Sequence, residues 1–291
     1  MTGRAITLGN FDGVHLGHIA LLQKTQAIAQ SESLSSLALS YHPNPAIVLG
    51  KKSDFTYLQT LESRIQNILS YGIQEVEILP FTTELSEMEA EDFLKEILLQ
   101  KFQAKHLIIG YNHCFGKNRR GNFELLQSLS KEYDYQVSQV EPVFAGEWKI
   151  SSSLIRDFLK NGDLANTKVC LGRNYKIEGK VVEGRKEGRK LGYPTANLKI
   201  PQDIVIPGIA VYACLANGRP SMTNVGTKPT FGDNTITIET HILDFDEDLY
   251  GRTIQLEFIE KIREVTKFPS LDALMEQLKK DELITRKILT S

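Results

Sequence analysis

The chain has 291 residues, of which 41% are hydrophobic and 24% are charged, and its formal net charge is −2. This composition is typical of globular domains and excludes a largely disordered chain, a collagen-like chain and a disulfide-stapled scaffold. A charge balance so near zero also excludes a polycationic module that binds nucleic acid or an anionic membrane through its overall field.

Cysteine usage and the apolar segments indicate a cytoplasmic protein. The three cysteines are widely spaced and form no Cys-x-x-Cys pair, which argues against a disulfide framework or a zinc site and fits a reducing cytosol. The first residues lack the apolar core of a signal peptide. The most apolar stretch, residues 204–216, is interrupted by Pro207-Gly208, whereas a membrane span needs about 20 apolar residues. We expect no nucleic-acid or membrane partner.

Up to about residue 165, short apolar runs rich in branched residues alternate with helix-period segments. The strand-like runs are 5–8, 37–40, 76–79 and 107–109, with a weaker run at 135–140. The apolar helix faces are Leu61, Ile65, Ile68 and Leu69, and then Phe93, Leu94, Ile97 and Leu98. This alternation predicts a Rossmann-like α/β domain with a parallel sheet over residues 1–165. Ligands bind beyond the carboxyl ends of such strands, where residues 9–13, 42–45 and 110–116 lie.

After residue 171 the pattern changes to short alternating runs separated by glycine and proline. These runs are 176–182, 210–216, 235–243 and 253–258. They predict an antiparallel sheet or small β-barrel. A terminal helix follows, with Leu271, Leu274, Met275 and Leu278 on its apolar face. We place the boundary within residues 161–173 and predict a second domain over residues 166–291.

The segment GNFDGVHLGH, residues 9–18, follows the first strand and opens a helix. His15 and His18 share the first-turn face because they are three residues apart. Gly13 and Gly17 allow a ligand to approach the backbone closely. The free N–H groups of a helix N-terminus bind anions, and two imidazoles beside them can donate to phosphate oxygens. A histidine pair that only caps the helix is the alternative.

The segment KISSSLIR, residues 149–156, predicts a second phosphate cradle. A serine at a helix start also caps the helix, but here three serines follow a lysine, and Arg156 lies three residues after Ser153. HxGH paired with such a turn is typical of nucleotidylyl transferases and class I aminoacyl-tRNA synthetases. In both classes an acceptor oxyanion attacks the α-phosphate of ATP, so catalysis depends on positioning and charge stabilisation rather than on a protein nucleophile.

In the second half, a loop rich in glycine and cations, residues 184–194, runs into the sequence PTAN. Thr195 and Asn197 face the same way in an extended segment, and a hydroxyl with an amide oxygen suits Mg²⁺. Glu239 projects from the polar face of the alternating strand 235–242. It is either a solvent-facing carboxylate or a general base for phosphoryl transfer.

Taken together, these segments resemble the family of bacterial bifunctional riboflavin kinase/FMN adenylyltransferases, also called FAD synthetases, over nearly the whole chain. The segments that carry the resemblance are GNFDGVHLGH, IIGYNHCFGKNRRG, KISSSLIR, LGYPTANL, NVGTKPTFG (expected as a loop) and LDFDEDLYG. The resemblance implies a nucleotidylyltransferase domain followed by a flavokinase barrel. It implies that riboflavin and Mg²⁺-bound ATP give FMN, and that FMN and a second ATP give FAD and pyrophosphate.

The resemblance also implies roles for individual residues. His15 and His18 handle the ATP phosphates, and Glu239 activates the 5′-hydroxyl of riboflavin. The implied catalytic residues are Glu239, His15, His18 and Arg156. The implied ATP contacts of the adenylyltransferase are Gly9, Phe11, Gly13, His15, Gly17, His18, Asn112, Ser152, Ser153 and Arg156. Those of the kinase are Gly188, Leu191, Gly192, Thr195 and Asn197, of which Thr195 and Asn197 also hold Mg²⁺.

Three positions depart from the family pattern. Asn44 stands where the family usually has histidine, and His42 lies two residues earlier on the same side of an extended segment. His113 stands where the family tends to have phenylalanine. Glu187 places a carboxylate among the cations of the loop.

Other functions are compatible with parts of the sequence. A riboflavin kinase with a weak or silent adenylyltransferase would follow from the departure at Asn44. An aminoacyl-adenylate-forming relative of the synthetases would explain HLGH and KISSS but not PTAN and Glu239. A non-catalytic flavin-binding protein would keep both folds but lack both catalytic activities. We expect small-molecule partners, namely riboflavin, FMN and ATP, and weak self-association.

Overall fold

The computed structural model describes residues 3–50, 55–184, 188, 192–230 and 233–290. The chain divides into two compact units, Met1–Ser152 and Ser153–Ser291. The domain boundary predicted after residue 165 stays a prediction from the sequence.

The first unit is built on a five-stranded parallel sheet with the strand order β3-β2-β1-β4-β5. The strands are β1 (Arg4–Leu8), β2 (Ser35–His42), β3 (Glu75–Pro80), β4 (Ala104–Gly110) and β5 (Gln136–Val140). The parallel α/β fold expected from the alternating pattern is confirmed.

Helices connect these strands. They are α1 (Leu16–Ser31), α2 (Pro45–Val48), α3 (Leu61–Ser70), α4 (Thr83–Glu87), α5 (Ala90–Asp92), a π-helix (Phe93–Lys101), a 3₁₀ turn (Lys117–Arg119) and α6 (Phe123–Leu129). A short hairpin of β6 (Phe144–Ala145) and β7 (Trp148–Lys149) ends the unit.

The sheet separates two apolar cores because successive side chains of a strand point to opposite faces. Ile6 and Leu8 of β1 lie in one core, and Ala5 lies in the other. The helix predicted around Phe93 is present as a π-helix, in which Phe93 and Leu98 are both buried. The wider π turn aligns residues five apart more closely than an α-helix does, so Phe93 and Leu98 of the predicted apolar face both pack into the core.

The second unit is a closed antiparallel barrel with the strand order β10-β11-β12-β9-β8-β13. The strands are β8 (Tyr175–Val182), β9 (Ala196–Lys199), β10 (Ala210–Ala216), β11 (Arg219–Thr230), β12 (Asp233–Ile242) and β13 (Thr253–Arg263). Two helices precede the barrel and one follows it: α7 (Ser152–Lys160), α8 (Leu164–Leu171) and α9 (Leu271–Thr290). The expected barrel with a terminal helix is confirmed.

Residues 224–230, expected from the sequence to form a loop, instead continue β11. Glycine and proline in this stretch are turn signals. However, among the described residues β10 pairs with residues 219–225 of β11, so Pro229 lies beyond that ladder, where the described pairing of β11 is with β12. Proline is tolerated at such an edge because no ladder donor is lost there.

Among the helices that the structure describes, none combines the length and the apolar character needed to span a bilayer.

Candidate functional site

The first candidate site lies where the order of the parallel sheet reverses. Strands β1 and β4 are neighbours in space but not in sequence, so their connections leave in opposite directions. A crevice at the carboxyl ends of such strands is the usual ligand site of an open α/β sheet. The loop after β1 carries Gly9 to His15, and the loop after β4 carries Asn112.

The loop after β1 is held in an uncommon backbone conformation. Phe11 and Val14 have φ angles of 48° and 38°, in the left-handed region that non-glycine residues rarely occupy. Gly13 has a φ of 86°, and a Cβ there would lie 2.5 Å from Leu58 Cδ1. Backbone strain of this kind is concentrated at functional sites, where surrounding contacts maintain it.

His15 and His18 form a stacked pair at the N-terminus of α1. Their ring centroids are 3.7 Å apart and the planes differ by 16°. His15 is the N-cap, and its Nδ1 accepts the backbone N–H of His18 at 3.3 Å. Because Nδ1 accepts, the neutral ring carries its proton on Nε2, which is the nitrogen that can donate to a ligand. His15 therefore caps the helix through Nδ1, and its Nε2 carries a donor hydrogen.

Two glycines make room for this pair and its neighbour. A Cβ at Gly17 would lie 3.2 Å from His15 Cε1, and one at Gly9 would lie 3.2 Å from Phe11 Cζ. The Phe11 ring lies against the His18 ring at a centroid distance of 5.3 Å. Gly17 and Gly9 therefore leave room for the rings of His15 and Phe11, and their expected contacts with ATP stay predictions.

A second segment, residues 57–64, donates hydrogen bonds to the loop after β1. The Leu58 N–H donates to Asp12 Oδ1 at 2.9 Å, and Gln59 Nε2 donates to the Phe11 carbonyl at 3.1 Å. Arg64 Nη1 donates to the Asn10 carbonyl at 2.9 Å. Arg64 is 2% exposed, and burial lowers the pKa of its guanidinium.

The sequence analysis did not predict these hydrogen bonds from residues 57–64 to the loop after β1. Arg64 lies on the helix face of Leu61 and Ile68, and a cation on an otherwise apolar face was the one available signal.

The serine segment reaches the same loop through Ser152. Ser152 Oγ donates to the Asp12 carbonyl at 2.8 Å, which joins two segments 140 residues apart in sequence. Ser153 begins the second compact unit, and Arg156 lies on α7 with 9% of its surface exposed. Their predicted contacts with pyrophosphate stay predictions.

The loop after β4 leaves Asn112 exposed and His113 partly buried, with the Nε2 atom of His113 out of contact with solvent. His113 Nε2 has no hydrogen-bond partner among the described residues. Burial, together with the charge of Arg119, lowers the pKa of His113 to about 4. The ring is therefore neutral at physiological pH and takes the place of an apolar side chain beside Phe115, at a ring distance of 6.2 Å.

This burial predicts an acid sensitivity that His113→Phe should remove. The unfolded chain binds a proton at His113 near pH 6.5 and the folded chain only near pH 4, so His113 costs stability as pH falls through this window. We expect His113→Phe to gain stability over the parent chain as pH falls from 6.5 to 4, measured by urea unfolding. Parallel pH profiles for the two proteins would contradict the assignment.

Asn44, which departs from the family pattern, caps a helix. Its Oδ1 accepts the Ala46 N–H at 2.9 Å at the start of α2, and its own N–H donates to Tyr57 Oη at 2.8 Å. Asn44 is 5% exposed. The His42 ring lies 5.8 Å from the Tyr57 ring, so both residues contact the segment that brackets the loop after β1.

The second candidate site lies in the barrel. The register places Glu239 of β12 opposite Asn197 of β9 on one side and opposite Asn224 of β11 on the other. A carboxylate is thus set between two amide residues, and Thr195 precedes β9 by one residue. The structure brings together the three residues that the sequence singled out at this site.

Glycines allow the loop before β9 to pack closely against these residues. A side chain at Gly184 would collide with the Asn197 amide, and one at Gly188 would collide with the Tyr193 carbonyl. Gly192 has a φ of 79°. Leu191 and the charged residues Arg185, Lys186, Glu187, Arg189 and Lys190 lie outside the described residues.

A cavity of about 540 Å³ opens beside Thr195. One wall is the segment Pro194-Thr195-Ala196, and the other is the loop of residues 245–250, which contains three carboxylates. Val181, Thr240 and Ile242 complete the lining. A volume of this size fits a nucleotide-sized ligand.

Each half of the chain matches a known protein family. The family model described as FAD synthetase matches residues 1–154, and the model described as riboflavin kinase matches residues 171–289. A relative from Escherichia coli named bifunctional riboflavin kinase/FMN adenylyltransferase is 33% identical and covers 98% of this chain and 92% of its own. A relative of the same name from Haemophilus influenzae is 34% identical over 97% of this chain and 92% of its own.

A solved structure matches over nearly the full length. It is described as a macrolide-efflux protein from Streptococcus pneumoniae, with 29% identity and a TM-score of 0.90 over 98% of this chain and 95% of that chain. The two chains therefore share their fold.

Proposed function

The chain belongs to the bifunctional riboflavin kinase/FMN adenylyltransferase family, and we propose that its two reactions occur at two separate sites, one in the barrel and one in the parallel-sheet unit. The chain phosphorylates riboflavin to FMN and adenylylates FMN to FAD. The expected bifunctional enzyme is confirmed, rather than a synthetase relative or a non-catalytic binding protein. Its substrates are small molecules. The cytoplasmic location and the weak self-association stay predictions.

The register that places Glu239 opposite Asn197 is the observation that carries the assignment of the kinase site. We assign Glu239 as the general base. Its carboxylate accepts the proton of the riboflavin 5′-hydroxyl while that oxygen bonds to the γ-phosphorus of ATP. The bond to the bridging oxygen breaks, and ADP leaves.

Thr195 and Asn197 fit a magnesium ion by the chemistry of their donors. A hydroxyl and an amide oxygen are neutral, hard ligands, and Mg²⁺ is usually held by few protein ligands together with water and phosphate. Among the described residues, no group of three or more His, Cys, Asp and Glu side chains could hold a metal ion by itself. When bound, Mg²⁺ would neutralise charge on the phosphates of ATP.

The adenylyltransferase site needs no protein nucleophile. A phosphate oxygen of FMN bonds to the α-phosphorus of ATP, the bond to the β-phosphate oxygen breaks, and pyrophosphate leaves. His15 Nε2 donates to the phosphate oxygens on which charge develops, with His18 beside it. The roles predicted for Asn112 at the α-phosphate and for Ser152, Ser153 and Arg156 at pyrophosphate are carried over from the resemblance.

The metal assignment predicts how the kinase responds to magnesium. We expect excess EDTA to abolish FMN formation and added Mg²⁺ to restore it. Thr195→Val loses one ligand oxygen but keeps the side-chain shape, so we expect the Mg²⁺ concentration for half-maximal rate to rise at least about tenfold. The measurement is a magnesium titration of FMN formation. An unchanged titration for Thr195→Val would remove this residue from the metal site.

A further inference from the structure

Arg286, on the C-terminal helix α9, binds two carboxylates at once. Its Nη1 and Nη2 donate to the two oxygens of Asp244 at 2.7 and 2.8 Å. Its Nε and Nη2 donate to Glu282 Oε1 at 3.0 and 2.9 Å. The planar guanidinium thus uses two of its edges, a geometry that the single ammonium of lysine cannot reproduce.

Asp244 lies at the base of one wall of the barrel cavity. It immediately precedes the loop of residues 245–250 and has a φ of 54°, in the left-handed region. The hydrogen bonds from Arg286 hold the pKa of the Asp244 carboxyl below its usual value. The guanidinium of Arg219 lies 5.1 Å from the centre of the ring of the next residue, Phe245. Two cations therefore fix the start of this wall.

Glu282 reaches the opposite wall. Its second oxygen, Oε2, accepts the Tyr193 hydroxyl at 3.2 Å. Tyr193 immediately precedes the Pro194-Thr195-Ala196 wall, and its ring lies 5.1 Å from the His241 ring. The Pro194 carbonyl in turn accepts a hydrogen bond from His241 Nδ1 at 2.7 Å.

We propose that Arg286 is a positioning residue of the kinase: by binding Asp244 and Glu282 together, it fixes the two walls of the cavity at the spacing that binds ATP. This inference depends on the proposal that the cavity beside Thr195 is the ATP site. Ordering the walls before the nucleotide arrives lowers the conformational cost of binding. Arg286 therefore controls ATP affinity without touching the reacting atoms.

Because Asp244 and Arg286 are exposed, an effect of Arg286 on ATP binding can be distinguished from an effect on folding. The side chains of Asp244 and Arg286 are 74% and 41% exposed. Ion pairs this exposed contribute little to global stability. A variant at Arg286 should therefore fold normally and reveal its effect in substrate kinetics.

The test measures the rate of riboflavin phosphorylation, taken as the sum of FMN and FAD formed, against ATP concentration. We expect Arg286→Lys and Arg286→Gln each to raise the KM for ATP about tenfold while kcat changes by less than about threefold. Tyr193→Phe removes only the hydroxyl that Glu282 accepts, and its KM should rise about threefold. The control Lys280→Gln removes an exposed cation from the same helix and should change nothing.

Two further readouts make the outcome decisive. FAD formation from supplied FMN should be unchanged in every variant, which shows that the parallel-sheet unit is intact. A parental KM for ATP in Arg286→Lys and Tyr193→Phe, with kinase activity altered in Thr195→Val, would overturn this inference alone. A parental KM and magnesium requirement in Thr195→Val as well would overturn the assignment of the ATP site itself.

Discussion

A Glu239→Gln variant is expected to lose riboflavin phosphorylation by roughly 10²–10⁴-fold, the usual contribution of a general base. It should still convert supplied FMN to FAD at the parental rate. The amide has the shape of the carboxylate but cannot take the proton of the 5′-hydroxyl. Because Glu239 lies between Asn197 and Asn224 in the barrel register, the substitution leaves the strand pairing intact.

The measurement for this variant is chromatographic quantification of FMN formed from riboflavin, with a melting curve as a check on folding. Glu260→Gln is the matched control, since Glu260 is an exposed carboxylate on β13, a barrel strand that does not pair with the strand of Glu239. Full kinase activity in Glu239→Gln would remove Glu239 from the chemistry. Loss of both activities in a folded variant would refute the separation of the two sites.

The second large effect concerns His15. His15→Asn should lose FAD formation by about 10²–10³-fold, the usual result of removing one donor to a developing negative charge. Asparagine is a strong N-cap, so the start of α1 keeps its side-chain acceptor while the imidazole Nε2 donor is lost. FMN should then accumulate when the variant is supplied with riboflavin and ATP.

The control for His15→Asn lies within the same chain, because its kinase rate should equal that of the parent. His15→Ala loses both the cap and the donor, so it should be less stable than His15→Asn and equally inactive in FAD formation. If His15→Asn makes FAD normally and His15→Ala does not, His15 serves only to cap the helix, the alternative that the sequence left open.

Local patterns were enough to predict most of the fold. The alternation of short apolar runs with helix-period segments placed the five parallel strands. The three inner strands β1, β2 and β4 are largely buried on both faces and therefore form continuous apolar runs, whereas the edge strands β3 and β5 are mostly only partly buried. The pattern failed where tertiary pairing overrides local signals. Residues 224–230 contain glycine and proline, yet pairing with β12 keeps them extended.

The candidate sites were predictable only where one short segment carries the chemistry. His15, His18, Thr195, Asn197 and Glu239 were singled out by their spacing on a helix or a strand, and their roles stay predictions. The contacts that hold them were not found, because they join distant segments: Arg64 reaches Asn10 across 54 residues, and Arg286 reaches Asp244 across 42. No local periodicity encodes such pairs.

Asn44 is a further residue whose contacts could not be predicted from the local sequence pattern. The sequence marks a missing histidine, and the structure shows an asparagine that caps α2 and is bound by Tyr57. A residue that departs from a family pattern can thus acquire a local structural role that its neighbours on the chain determine.

The central claim is that one chain carries two independent sites, and mixing two variants tests it most directly. Glu239→Gln and His15→Asn are each incubated with riboflavin, ATP and Mg²⁺, alone and together, and FMN and FAD are followed over time. Neither variant alone should form FAD, whereas the mixture should form FMN first and FAD after a lag, as FMN released by one chain reaches the other. If the mixture forms no FAD although each variant keeps its remaining activity, the two reactions are not independent.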